Sequence, residues 1–166
     1  MAQGKFDDAL ALEQRAFAIR DRVLGEHWHT ALSLSTLGYI RWVGGDLDEV
    51  RALLERAIAI DEEQFQPVKY ETGFDAEVLG RIYVELGLLD EAEIRLDQSV
   101  HVFRELGLPR AGHRGWLHLA RGEVERARGD GEGAKEELAR AIAVEEVLWP
   151  GGHPRLREVR ELYESL

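Results

Sequence analysis

The chain is built from a segment that recurs about every 42 residues, three and a half times in all. Four short stretches mark the period, each opening with a glycine that is followed by acidic and apolar residues: residues 4–9, 45–50, 87–92 and 129–134. The four glycines lie 41, 42 and 42 residues apart. A fixed period of this length is typical of stacked supersecondary units that bury their apolar faces against their neighbours. The sequence therefore predicts a solenoid.

Each period holds two amphipathic helices. Apolar residues recur at spacings of three and four, as in the stripe formed by Leu47, Val50, Leu54 and Ala57. Glycines and prolines separate these segments, and a glycine just past a helix end can take the left-handed conformation that closes it. We predict eight helices, near residues 5–24, 30–43, 47–64, 72–86, 89–106, 111–128, 131–148 and 154–165.

Composition narrows the class of protein. The formal net charge of −11 opposes binding to nucleic acid, which depends on neutralising phosphates, and favours basic partners. The chain has no cysteine, no apolar run near the roughly 18 residues of a membrane helix and no apolar signal core at its start. We expect a cytoplasmic protein that does not bind membranes. The excess of arginine over lysine, 18 to 3, favours a bacterial source.

Two units carry the same series of residues at matching positions. The first series is Leu37, Gly38, Tyr39, Gly45, Leu47, Val50, Leu54 and Ala57, and the second is Leu79, Gly80, Tyr83, Gly87, Leu89, Ala92, Leu96 and Ser99. The pattern resembles the tetratricopeptide repeat. The period of about 42 and the turns at residues 23–27 and 148–154 are similar to its kinesin light chain subtype.

This resemblance implies an all-α fold, an α-solenoid of antiparallel helix pairs in a right-handed superhelix. One domain would span residues 1–166, with about 3.5 repeats and a C-terminal capping helix. The expected parts are the second helix of a first repeat at 4–25, repeats at 30–66, 72–108 and 111–149, and the capping helix at 154–166.

Departures from the period are informative. The turn at residues 26–29 is one residue short, which explains the spacing of 41. The first helix of the last repeat has Arg121 where earlier repeats have leucine, and its apolar residues Leu117, Ala120 and Val124 predict a rotation of that helix by about one residue. The chain begins in the middle of a repeat, and Glu13 stands where later repeats place leucine. Either the chain is a fragment of a longer array, or a second copy covers this end in a homodimer.

Small residues recur where two helices of a repeat would cross. Gly38, Gly80 and Gly122 are 42 residues apart on the first helices, and the second helices carry small residues at Ala16, Ala57, Ser99 and Ala141. Small side chains let two helix backbones approach, so we expect these positions to tolerate larger residues poorly.

Catalytic motifs are missing from the sequence. It contains no glycine-rich phosphate loop, no zinc-binding His-Glu-x-x-His and no nucleophile elbow. His27 and His29 flank Trp28 and could hold a metal, but the resemblance explains His27 as a turn residue. We predict that the protein is not an enzyme and has no cofactor or metal site.

The resemblance places a binding groove on the first helix of each repeat. The residues on that face are Leu32, Ser35, Tyr39, Trp42, Phe74, Glu77, Arg81, Trp116, Leu119 and Arg126. Aromatics and arginines often anchor protein interfaces, although Tyr39, Trp42 and Trp116 equally suit packing between helices. The chain has no asparagine, and Lys5, Lys69 and Lys135 lie outside the groove helices, so the family's asparagine and lysine grips on a peptide cannot form.

Two functions remain open. The first is a non-enzymatic protein–protein interaction scaffold that binds a partner segment in the concave groove. The alternative is a ligand- or peptide-sensing regulatory module, the C-terminal fragment of a larger bacterial signalling or transcription-regulator protein. Fold alone does not decide between them.

Overall fold

The computed structural model describes residues 2–64, 69–107 and 111–166, apart from the side chains of residues 2–6, 43 and 111–113. These residues form helices and turns and contain no strand. The helices are α1 (Ala2–Leu24), α2 (Trp28–Gly44), α3 (Leu47–Gln64), α4 (Tyr70–Glu85), α5 (Leu89–Glu105), α6 (Ala111–Arg128), α7 (Gly131–Leu148) and α8 (Pro154–Glu164). The prediction of eight helices is confirmed. The described chain forms two compact units, residues 1–79 and 80–166.

In unit 1, α2 and α3 form an antiparallel pair joined by Gly45 and Asp46. Gly45 has φ of 82°, in the left-handed region, and its N–H bonds to the Trp42 carbonyl oxygen at 3.0 Å. This bond closes α2 with the predicted glycine. The apolar centre of the pair contains Ala31, Leu34, Ala57 and Ile60, with Phe17 of α1 and Leu53 packed against it.

The start of α2 lies two residues earlier than predicted. His27 has an extended backbone, and its Nδ1 accepts a hydrogen bond from the His29 N–H at 3.2 Å. A side-chain acceptor at this position satisfies one of the free N–H groups of a first turn. The turn role expected for His27 is therefore confirmed, and Trp28 becomes the first residue of the helix.

In unit 2, α8 closes the apolar core made by α6 and α7. Val159 of α8 is buried beside Leu119, Leu138 and Ala141, and Leu162 packs against the same cluster. Pro154 lies in the first turn of α8, where the missing N–H of proline costs nothing. The predicted capping helix is confirmed.

The glycines of the first helices meet a leucine of the second helices at the same place in each repeat. A Cβ at Gly38 would lie 2.9 Å from Leu54 Cδ2, one at Gly80 would lie 2.8 Å from Leu96 Cδ2, and one at Gly122 would lie 2.8 Å from Leu138 Cγ. The expected close crossing is confirmed. Because Gly122 keeps the position of Gly38 and Gly80, the predicted rotation of α6 is wrong. Arg121 instead stays half-buried at the helix edge, in an ion pair with Asp97.

The described helices include none that is both long and apolar enough to cross a membrane.

Candidate functional site

One face of α2 is open to a cavity in unit 1. Trp28, Leu32, Ser35 and Tyr39 follow each other at spacings of four, three and four residues, which places them on the same side of the helix. Leu32 is 41% exposed and Trp28 is 37% exposed. These two large apolar side chains therefore lie partly open on neighbouring turns of one helix.

We call the cavity the α2 pocket. Its volume is about 460 Å³, within the usual range of ligand sites. Its described lining is Trp28, Leu32, Ser35, Asp61, Lys69 and Glu71. The pocket therefore combines an apolar side from α2 with charged groups from the end of α3 and the start of α4.

Lys69 lies between the acidic and aromatic parts of the α2 pocket. Its Nζ donates a hydrogen bond to Asp61 Oδ1 at 3.2 Å and lies 5.1 Å from the centre of the Trp28 ring. Thr72 donates to the other Asp61 oxygen at 3.3 Å. Burial raises the pKa of the Asp61 carboxyl above its usual range, although the hydrogen bonds from Lys69 and Thr72 act in the opposite direction.

Lys69 lies outside the groove helices, as the sequence predicts, but its place in this pocket was not predicted. It precedes α4, which begins at Tyr70 rather than at the predicted residue 72, and it lines the same cavity as Leu32 and Ser35. Trp28, Asp61 and Glu71 were also missed. The four-residue spacing from Trp28 to Leu32 could have indicated that Trp28 shares the exposed side of α2. An acidic residue at the end of the apolar stripe of α3 could have indicated Asp61.

A buried carboxylate links α2 to α4 behind the pocket. Asp75 accepts hydrogen bonds from Ser35 Oγ at 2.5 Å and from the Tyr39 hydroxyl. Burial raises the pKa of Asp75 to about 6 despite these two hydrogen bonds, and burial next to Asp75 raises the pKa of Tyr39 above its usual range. The Tyr39 ring meets Phe74 edge to face at 5.2 Å. Ser35 and Tyr39 thus hold α2 and α4 together through Asp75.

In unit 2 the predicted residues Arg81 and Trp116 come together in what we call the Trp116 stack. The guanidinium carbon of Arg81 lies 4.2 Å from the centre of the Trp116 ring, and that of Arg155 lies 4.4 Å from it. Both distances suit cation–π attraction. Arg155 Nη2 also lies 2.6 Å from Oε1 of the fully buried Glu145. This half-buried indole is therefore already in contact with two cations of its own chain.

The remaining predicted groove residues differ in how far their side chains are exposed to solvent. Trp42 is half-buried and Arg126 is exposed, whereas Ser35 and Glu77 are buried. Leu119 is buried in the core with Leu138, Ala141 and Val159. Placing Leu119 on an open groove was wrong because its side of α6 faces α7 and α8. Burial and nearby carboxylates raise the pKa of Glu123, against the influence of Arg81 and Arg126.

Both histidines of the His27–His29 segment make contacts with their neighbours in the chain. The His29 ring stacks on Trp28, with ring centres 3.4 Å apart, and His27 Nδ1 accepts the helix-capping hydrogen bond. Within the described part of the chain, no three histidine or acidic side chains are grouped so that they could hold a metal ion.

Comparison with known proteins agrees with this architecture. Residues 1–63 match the model of the tetratricopeptide repeat family. A protein of Podosopora anserina described as kinesin light chain-like, with nearly identical TPR-like repeats, is 22% identical, with a TM-score of 0.72 over 98% of this chain and 77% of that one. BtubC of P. vanneervenii is 17% identical, with a TM-score of 0.81 over 99% of this chain and 66% of that one.

No curated protein matches the chain in sequence. At these identities the two structures establish the fold and leave function open. The chain therefore has the helix-pair solenoid fold of kinesin light chain-like tetratricopeptide repeats, and its first 63 residues carry the sequence pattern of the tetratricopeptide repeat family.

Proposed function

We propose that the protein is a non-enzymatic interaction module that binds a segment of a partner protein on the first-helix faces, with the α2 pocket as its main contact in unit 1. Tetratricopeptide repeats generally mediate protein–protein interaction, which supports the class. The observation that carries the proposal is the exposure of Trp28 and Leu32 at the mouth of the α2 pocket.

We expect a few residues at the centre of the interface to supply most of the binding free energy. Burying an exposed tryptophan and leucine in one pocket removes water from two large apolar side chains, and tryptophan is enriched among residues that dominate binding energy. The half-buried Tyr39, Trp42 and Phe74 extend the same aromatic character along unit 1. In unit 2 the Trp116 stack and the exposed Arg126 are the proposed contacts.

A random peptide library displayed on phage tests this proposal. We expect the immobilised chain to enrich peptides whose affinity falls by about 30-fold on Trp28→Ala, since loss of an interface tryptophan costs about 2 kcal/mol or more. Leu32→Ala should weaken the same peptides.

Matched controls come from exposed apolar residues outside the α2 pocket, Trp149 (for Trp28) and Ile94 (for Leu32). Trp149→Ala and Ile94→Ala should leave binding unchanged. Failure to enrich any peptide, or equal loss in the control variants, would count against the proposal.

The regulatory-module alternative has no support in the family match or in the two solved structures. A cytoplasmic location and a bacterial source stay predictions from the sequence.

We propose a second contact, a homodimer through α1. Leu12, Ile19 and Val23 are 64%, 57% and 67% exposed and share one side of the helix. Ile60, which is the counterpart of Ile19 one repeat later, is buried because α2 covers it. The α1 stripe of a second copy offers a helix with the same apolar spacing.

Light scattering at high concentration tests the homodimer. The unaltered chain should have the mass of a dimer, and Ile19→Glu should reduce it to the mass of a monomer. A monomer mass for the unaltered chain would refute the homodimer.

A further inference from the structure

The α2 pocket already holds a cation. The Lys69 ammonium lies over the Trp28 ring at 5.1 Å and donates to the Asp61 carboxylate at 3.2 Å, on a residue whose side chain is almost fully buried. An aromatic face and a carboxylate on either side of one charge are the two features by which proteins recognise basic side chains. The chain's own lysine therefore displays the chemistry that this pocket favours.

The pocket has room and acceptor capacity for a second cation. Asp61 receives one hydrogen bond at each oxygen, from Lys69 and Thr72, whereas a carboxylate offers about four acceptor positions. Glu71 adds a second carboxylate to the lining, so the two acids outnumber the single lysine. The exposed sides of Leu32 and Trp28 suit an aliphatic stem.

We propose that the α2 pocket binds an arginine side chain of the partner segment, its guanidinium stacked on Trp28 and hydrogen-bonded to Asp61, with Lys69 as the internal cation that it displaces. This inference rests on the proposed function and adds the chemistry of the bound residue. Arginine fits because its planar guanidinium can stack on an indole and pair with a carboxylate through two parallel hydrogen bonds. An acidic side chain would instead meet Asp61 and Glu71, which disfavours it.

The probe is Nα-acetyl-arginine amide, and its neutral near-isostere is Nα-acetyl-citrulline amide. The chain has four tryptophans, so a two-dimensional ¹⁵N–¹H spectrum gives four indole cross-peaks, and Trp28 can be assigned by Trp28→Phe. We expect the arginine probe to shift the Trp28 peak in a saturable way, and the citrulline probe to bind about tenfold more weakly, because it cannot make the charge-assisted hydrogen bond.

Two variants should change the affinity in opposite directions. Asp61→Asn should weaken the arginine probe about tenfold, since it removes the carboxylate. Lys69→Gln should strengthen it by about fivefold, because the competing ammonium is gone. Glu63→Gln removes the same charge as Asp61→Asn at an exposed position of the same helix, so it controls for the net charge of −11. Unchanged cross-peaks of the other three tryptophans verify that each variant is folded.

The proposal is overturned if both probes bind equally, if Asp61→Asn and Glu63→Gln have the same effect, or if Lys69→Gln weakens binding. Phage-selected peptides whose binding requires Trp28 but which contain no basic residue would also overturn it. That result would leave the proposed function intact. Selection of no peptide at all would overturn the proposed function and this inference with it.

Discussion

The crossing of Gly122 and Leu138 provides the sharpest test of how the repeat is held together. A Cβ at residue 122 would lie 2.8 Å from Leu138 Cγ and 2.9 Å from Cδ2, well inside van der Waals contact. Leu138 cannot yield easily because it is fully buried among Leu119, Ala141 and Val159. Overpacking of this kind costs about 1–3 kcal/mol. Replacing a mid-helix glycine by alanine returns about 1 kcal/mol through backbone entropy.

The free energy of unfolding should therefore fall by about 0–2 kcal/mol in Gly122→Ala. In a Leu138→Ala background, itself destabilised by about 2–5 kcal/mol, the same change should stabilise by about 1 kcal/mol. The difference is a coupling energy of about 1–3 kcal/mol between the two sites.

Urea unfolding followed by circular dichroism measures all four members of this cycle. Gly131→Ala is the matched control, because no atom lies within 4 Å of a Cβ at this helical glycine. It should be neutral or slightly stabilising in either background. If Gly122→Ala stabilises the chain as much as Gly131→Ala does, or if the cycle is additive, the close crossing does not constrain the fold.

Two further predictions concern buried charges. Because the pKa of Asp75 is about 6 in the folded chain and its usual value is 3.8, the folded chain binds an extra proton between these values. The free energy of unfolding should then fall by about 3 kcal/mol as pH rises from about 4 to above 6, and Asp75→Asn should remove that part of the pH dependence in urea titrations. Equal pH slopes in both proteins would refute the assignment. Arg155→Met should lower the free energy of unfolding by about 3–5 kcal/mol, because it leaves the buried Glu145 charge uncompensated. Arg160→Met breaks the exposed pair with Glu146 and should lower it by less than about 1 kcal/mol. Similar losses in the two variants would show that burial of the ion pair does not matter.

Most of the fold could be predicted from the sequence because its period is repeated in both apolar stripes and glycines. The same positions recur in each repeat, so Gly38, Gly80 and Gly122 predict the crossing from the sequence alone. The predicted rotation of α6 was wrong because Gly122, which meets Leu138, marks the register of that helix, and Arg121 does not. An arginine can stay at a helix edge with its charge paired, whereas a glycine at a crossing is fixed by the leucine that occupies the space.

The candidate site was less predictable, because part of the α2 pocket is made by residues at the ends of helices and in the connections between them. Lys69 comes from the connection before α4, and Trp28 lies in the first turn of α2, where the shortened loop ends. One period from Lys69 stand His27 and Ala111, so the period could not reveal a lysine there, whereas Tyr70 is the aromatic counterpart of Trp28. Leu119 shows the opposite error, since the family pattern placed it on a surface that α8 closes in this chain. Periodicity determines helices and their crossings, but the ends of helices determine which side chains share a cavity.

The central claim is that a partner segment binds at the α2 pocket, and titrating the ¹⁵N-labelled chain with the tightest phage-selected peptide tests it most directly. The account predicts that the largest shifts are at the Trp28 indole and the backbone amides of Leu32 and Lys69. Shifts confined to the ion-paired surface around Arg128, where Asp90 and Glu93 lie 2.9 Å from its guanidinium, would contradict it.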